Sequence, residues 1–320
     1  MKKILVVLAL AAMTASAGAA EQFPTRPIRV IVPYAPGGNV DISARIVAPP
    51  MGEILGQTVV VDNRPGAGGN LGASLVAKAT PDGYTLLVGS SGPLSVNPVI
   101  FKSLPYDSLK DFAPISTVQA VPLVVLASPK AGFNSIADVV AAAKARPGKV
   151  TMASAGAGTT NHFAIELFAN MANIKVLHVP YKGSGPALSE LLGGQVETMV
   201  DQLAASIGYV KDGRLKVLAV TTPQRAAALP NVPTLDELGY KTVSDSPFGV
   251  CGPKGMDPAV TQRLHDAFKK TLDDPAVLAT FEKYDQSVIY MNTADYSKFA
   301  RENYASEKAV IERLGLAAKT

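Results

Sequence analysis

"IRVIVPYAPGGNVDISARIVA", residues 28–48, sets an apolar, β-branched run directly before two prolines, two glycines and a helical pattern. Ile28–Pro33 has the length and composition of a buried strand. Pro33 and Pro36 end it, Gly37 and Gly38 turn the chain, and Asn39 and Asp41 are residue types that open helices. The same sequence of events recurs. "TVVVDN" leads through "RPGAGGN" (64–70) into a helical pattern, "YTLLVG" runs into "SSGP" (90–93), and "VTMAS" passes through "AGAGTT" (155–160) into another helix. Further apolar runs at "LVVLAS", "VLHVP", "VETMVD" and "LKVLAVT" alternate with amphipathic stretches, and the last quarter is mostly helical. Continuous Val/Leu/Ile runs separated by helices predict mainly parallel sheets covered on both faces, an α/β architecture. Pro49 and Pro50 fall inside the first helical pattern, where a proline costs ~3 kcal/mol or more, so that helix is expected to break near Val47 and restart.

The four Gly-rich loops share one physical property. The first N–H groups of a helix lack intrahelical partners and carry the positive end of the helix dipole. A glycine lets a ligand approach that backbone closely, so strand, loop and helix N-terminus together make an anion cradle without a charged side chain. Open α/β sheets bind ligands at the carboxyl ends of their strands, where these loops lie. One such loop alone is an ordinary βα turn; several, in both halves of the chain, point to a small anion held at its two ends.

Composition narrows the alternatives. The chain has 320 residues, 48% hydrophobic and 18% charged, which describes a globular protein with room for two domains. Aromatics are 6% with no Trp and no Lys/Arg cluster, so a nucleic-acid partner is not expected. Residues 1–20, "MKKILVVLALAAMTASAGAA", have the basic, apolar and small-residue parts of a secretory signal, with cleavage expected near Ala19 or Ala20. Losing Lys2 and Lys3 lowers the formal net charge from +4 to about +2. Cys251 is the single cysteine, which excludes an internal disulfide, and its surroundings suit a buried small side chain.

Enzyme chemistry finds little purchase. "GAGGNLG" places Leu71 where a dinucleotide fingerprint wants its third glycine, and no acidic residue follows at the ribose position. "GSSG" lacks the nucleophile-elbow spacing, and His162, His178 and His265 have no partners visible in the sequence. No spacing suits a metal, and neither metal nor cofactor is expected. His162 lies in a helix first turn, facing either the cleft or the packing; His178 alternates with valines and is expected to be structural. Asp201 ends the apolar "VETMV" and is expected to point toward the loops, accepting from an amine, a hydroxyl or a bridging water. The alternative is a cap on the helix that follows.

The ordered set "PYAPGGNVD", "VVVDNRPGAGGNLGA", "ATPDGYTLLVG", "NPVIFKSLPYDSLKDFAPI", "ASAGAGTTNHFAIELF", "HVPYKGSGPALSELLGGQVETMVDQ" and "LKVLAVTTPQRAAALPNVPTLDELGY" resembles the periplasmic solute-binding proteins of tripartite tricarboxylate transporters, the TctC or Bug family. The likeness runs from about Phe23 to Leu316. It implies a type II periplasmic binding fold of two hinged α/β domains, one discontinuous: residues 21–123 with 247–320, and residues 124–246. It also implies a non-enzymatic, monomeric, periplasmic protein that passes a di- or tricarboxylate or related acid to membrane transport subunits. Carried over by motif, the ligand-binding positions are Tyr34, Ala35, Gly37, Gly38, Asn39, Ala67, Ser90 and Ser91, with Ser154, Ala157, Gly158, Thr159, Thr160 and Asp201 from the second domain. Tyr181 and Lys182 match a family motif as either ligand contacts or hinge residues. "SPF" at 246–248, "GPLSVNP" at 92–98 and Pro49-Pro50 depart from the family pattern at positions expected near the cleft wall, so the ligand is not transferable from a relative. A sensor that reports to a receptor, or an enzyme in the same cleft, are the other classes this architecture accommodates.

Overall fold

In the computed structural model, which describes residues 23–241 and 245–317, each strand of the sequence pattern finds a place in one of two sheets that share a strand. The first sheet takes β1 (Ile28–Val32), β2 (Val59–Asn63) and β3 (Thr85–Ser90), with β1 central and parallel to both neighbours. The connections are α1 (Asn39–Leu55) and α2 (Asn70–Ala77). β4 (Phe112–Ala127) then runs through both sheets. The second sheet contains β5 (Thr151–Ser154), β6 (Leu177–Pro180), β7 (Thr198–Gln202) and β8 (Lys216–Val220). Its helices are α3 (Ile136–Ala145), α4 (Thr160–Met171), α5 (Ser184–Gly193) and α6 (Leu203–Lys211). β9 (Asp245–Pro253) returns the chain to the first sheet, followed by α7 (Pro258–Leu272), α8 (Pro275–Lys283), β10 (Ser287–Val288) and α9 (Thr293–Arg313). The leader at 1–20 and the side chains of Ser246 and Pro247 lie outside the described residues.

The sheets are less purely parallel than the apolar runs predict. β5 is parallel to β6 and β7, but β9 runs antiparallel to β3 and β4, and β4 antiparallel to β7 and β8. The long antiparallel pair is the chain passing between the sheets and coming back. Its first half, "FAPISTVQAVP", carries no strand period in the sequence, because Pro114 and the polar residues hide it. The structure accommodates them with register shifts between Pro114 and Ser116 and between Thr117 and Gln119, the bulges where a strand tolerates proline. Past Pro122, β4 is buried on both faces. Leu123, Val125 and Ala127 pack with Met152, Ile165 and Phe168, while Val124 and Leu126 pack with Leu188, Met199 and Leu203.

α1 corrects one expectation: it does not break at Val47 but continues through Pro49 and Pro50 to Leu55, closed by Gly56 in the left-handed region. Val47, Ala48, Met51 and Leu55 face the core formed with Val30, Val88, Phe248 and Phe268. Burying the three larger side chains contributes on the order of 5–9 kcal/mol, enough to offset the ~3 kcal/mol or more of each proline. The prolines are also not at the cleft wall. They sit about 15 Å along the helix from Asn39, with Pro49 exposed. Phe248 likewise points into the core, 2% exposed.

Candidate functional site

The Gly-rich loops do meet, and they meet across the two sheets. Ala35 N–H donates to the Lys182 carbonyl at 2.8 Å, tying the loop after β1 to the loop after β6. Gly38 faces Ser184, where an added Cβ would lie 3.3 Å from the serine Cβ. Gly68, at φ +64, presses on Ala157, whose carbonyl oxygen would stand 2.1 Å from an added Cβ. Gly92 meets Gly158 and Thr159, and Gly158 also packs against Asn97. Glycine at each of these contacts, facing backbone at Gly68 and Gly92 and side chains at Gly38 and Gly158, lets the two jaws close further than larger residues would permit.

Between the jaws lies a cavity of about 20 Å³, room for little more than one water. Tyr34, Gly38, Asn39, Val40, Asp41 and Ser90 line it from the first domain; Ala155, Thr159, Thr160, Asn161, Ser184 and Gln202 line it from the second. Three helix N-termini open on this space. α1 begins at Gly38 and α5 at Gly183, neither with a side-chain cap, while the Thr159 hydroxyl accepts from His162 N–H at the start of α4. No Lys or Arg lines the cavity among the described residues. Positive potential here comes from backbone dipoles, which suits a small anion.

The side chains around the cavity hold the loops in place. Tyr34 sends its hydroxyl to Ser90 Oγ at 2.7 Å, and burial pushes its pKa up to about 12, so it stays a neutral phenol. Asp41 is the acidic group in the lining. Burial works against its charge, but Arg45, the Gly37 N–H at 3.0 Å and Asn63 together hold its carboxyl below the usual range. Neutralised by Arg45 and clasping Gly37, it braces the first loop. Asn39 is also engaged at its back, where Gln286 donates to its Oδ1.

Of the residues expected at the ligand, Tyr34, Gly38, Asn39, Ser90, Thr159 and Thr160 line the cavity. Ala35, Gly37, Ala67, Ala157 and Gly158 belong to the loops that form the jaws' rim. Ser91, Ser154 and Asp201 stand behind the wall. Ser91 accepts from Asn303 of α9 at 3.3 Å. Ser154, fully buried, accepts from Gly156 N–H at 3.1 Å and contacts His178 Nε2 at 2.7 Å. That serine–histidine pair is not part of the cavity lining. His178 stacks on His162 with centroids 4.0 Å apart, and burial with the neighbouring ring pushes its pKa down to about 4. His162 in turn accepts from Gly158 N–H through Nδ1 at 3.2 Å, and its Nε2, 3.5 Å from Glu166 Oε1, holds that carboxyl below its ordinary value. Both histidines therefore support the "AGAG" loop from beneath.

Asp201 does not cap α6, whose first position is preceded by Gln202, and it is fully buried beneath the lining. Its Oδ1 accepts from Ser184 Oγ at 2.5 Å and from Asn161 Nδ2 at 3.0 Å, while Oδ2 has no hydrogen-bond partner. Burial pushes its pKa up to about 7, against the pull of those donors. Lys182 meets the other domain through its carbonyl, and Tyr181 N–H bonds Ser154. Asn161, Ser184 and Gln202 were missed as lining residues. A signal existed for Ser184, since "YKGSG" is a fifth Gly-rich loop entering a helix; Asn161 and Gln202 simply follow residues that were singled out.

Two α/β lobes sharing a long strand, with helix N-termini facing each other across the gap, define a solute-binding protein of the periplasmic binding fold. Residues 43–316 match the tripartite tricarboxylate transporter family receptor, and the chain belongs to that family. It is 41% identical over 286 residues to the protein BugT of Bordetella pertussis, covering 88% of each chain. It is also similar to a solved R. palustris protein with adipate, at TM-score 0.88 and 31% identity, over 93% of this chain and 100% of that one. A third likeness is to MatC from Rhodopseudomonas palustris with bound malate, at TM-score 0.87 and 28% identity, over 90% of this chain and 100% of that one.

Proposed function

We propose that this protein captures a small organic carboxylate, a di- or tricarboxylate or related acid, in the cleft between its two domains. It then delivers that ligand to the membrane subunits of a tripartite tricarboxylate-type transporter. The observation that carries this is the convergence of three helix N-termini, from both domains, on one cavity that no cationic side chain lines among the described residues. Such a site takes a carboxylate by backbone donors and dipoles. The domains would be residues 21–123 with 247–320, and 124–246, hinged where β4 and β9 pass between the sheets. With about 20 Å³ in the closed cleft, a dicarboxylate enters only when the lobes part, as hinge closure around a ligand requires. Export to the periplasm, removal of the leader near Ala19 or Ala20 and action as a monomer complete the proposal. Two of its structural neighbours bind acids that differ in carrying a hydroxyl, so the class is left at small carboxylic acids.

The test is a thermal-shift panel of carboxylates beside nucleotides, followed by mass spectrometry of ligand released from natively purified protein. A carboxylate at 100 times its Kd stabilises the fold by ~2.7 kcal/mol. A panel in which no carboxylate raises Tm while a nucleotide does would refute the proposal.

A further inference from the structure

Ser184 is the first residue of α5, lines the cavity and is 3% exposed. A serine hydroxyl normally serves as donor or acceptor by rotating. Here its direction is set from behind. Asn161 donates through Nδ2 to the Val200 carbonyl at 3.0 Å, an acceptor that fixes the amide's orientation. The same Nδ2 donates to Asp201 Oδ1 at 3.0 Å, so Oδ1 is an acceptor. Against the ionised Asp201 carboxylate, Ser184 Oγ, 2.5 Å from that oxygen, is the donor. Its one proton is committed, and its lone pairs are what remain for the cavity.

The position of those lone pairs matters as much as their sign. Ser184 Oγ would lie 3.5 Å from a Cβ built on Gly38, the residue that opens α1. A carboxylate on the α1 N-terminus would therefore have an acceptor beside it, on the other lobe. Carboxylate oxygens find nothing to bind there, whereas a hydroxyl on the adjacent carbon does. Ser184, Asp201 and Asn161 all belong to the second domain, so the arrangement moves as a unit when the cleft opens. An ammonium in that place would meet three positive helix ends and a lining whose one acid, Asp41, is already paired with Arg45.

We infer that Ser184, held as an acceptor by Asp201, makes this cleft selective for 2-hydroxy carboxylic acids over acids lacking that hydroxyl. The inference rests on the carboxylate function proposed above and names its substrate class. One hydrogen bond to a neutral acceptor separates the ligands by roughly 3- to 10-fold in Kd.

The experiment is calorimetric titration of the full mature chain with succinate, 2-hydroxysuccinate and 2-aminosuccinate, repeated on Ser184→Ala. The expected order is hydroxy acid tightest by about 3- to 10-fold, with the Ser184→Ala variant bringing the hydroxy and plain acids to within about twofold while its melting temperature shows it folded. Equal Kd values in the unsubstituted protein, tightest binding of the amino acid, or a preference that survives Ser184→Ala would each overturn the inference while leaving carboxylate binding intact. If none of the three acids and no carboxylate of the wider panel binds, the proposed function falls and this inference with it.

Discussion

Gly68→Ala is expected to separate closure of the cleft from stability of the fold. Gly68 sits at φ +64, and a methyl there would stand 2.1 Å from the Ala157 carbonyl oxygen of the other lobe. Ordinary contact begins near 3.4 Å, so the jaws must part locally by about 1.3 Å. The Ala35–Lys182 bond, 2.8 Å across the same cleft, is then stretched toward or beyond hydrogen-bonding distance. Losing it removes about 0.5–1.5 kcal/mol, and rewetting the jaw contacts adds to that. A tenfold or greater loss of ligand affinity, about 1.4 kcal/mol, is therefore expected. The left-handed backbone costs an alanine a further ~1 kcal/mol, but equally in the open and closed forms. Gly255→Ala isolates that cost, because Gly255 has φ +87 and nothing within 4 Å. Titration calorimetry with the acid giving the largest thermal shift measures affinity, and small-angle scattering at saturation measures compaction. Equal affinity in Gly68→Ala and Gly255→Ala would refute closure through this contact.

Asp201 and His178 pull the pH dependence of stability in opposite directions. The Asp201 pKa is raised to about 7 in the fold, so its contribution is full below its unfolded value and is lost as pH rises through 7. The His178 pKa is lowered to about 4, so its contribution is present above 6.5 and is lost as pH falls toward 4. Asp201→Asn removes the first, and its stability relative to the unsubstituted protein should improve by about 2–3 kcal/mol between pH 5 and pH 8. Urea unfolding at the two pH values measures this, and a constant difference would exclude the assignment. Pro49→Ala restores a helix N–H at an exposed position and should stabilise α1 by about 1–3 kcal/mol. A lower Tm in that variant would show that proline's restriction of the unfolded chain outweighs the lost bond.

Much of the architecture follows from local sequence. Runs such as "IRVIV" and "YTLLVG" are short, apolar and bounded by Gly or Pro, so they read as strands buried on both faces, and the glycines after them mark where a helix begins. The helix N-termini on which the proposed anion site rests were legible too, because each depends on backbone geometry at a strand-to-helix junction and not on what lies opposite. Long-range packing decided the rest. Nothing local says that α1 survives Pro49 and Pro50; the burial of Met51 and Leu55 does. Nothing in "FAPISTVQAVP" announces a strand until β9 lies alongside it. Asp201 and Ser154 carried plausible ligand chemistry in the sequence, yet folding places both behind the wall, where they fix the Ser184 hydroxyl and the "AGAG" loop. Strand, loop and cap obey forces between residues a few positions apart. Which hydroxyl faces the cavity, and which way its proton points, depends on Asp201, 17 positions from Ser184, and on Asn161, 40 positions from Asp201, which meet only when the sheet assembles.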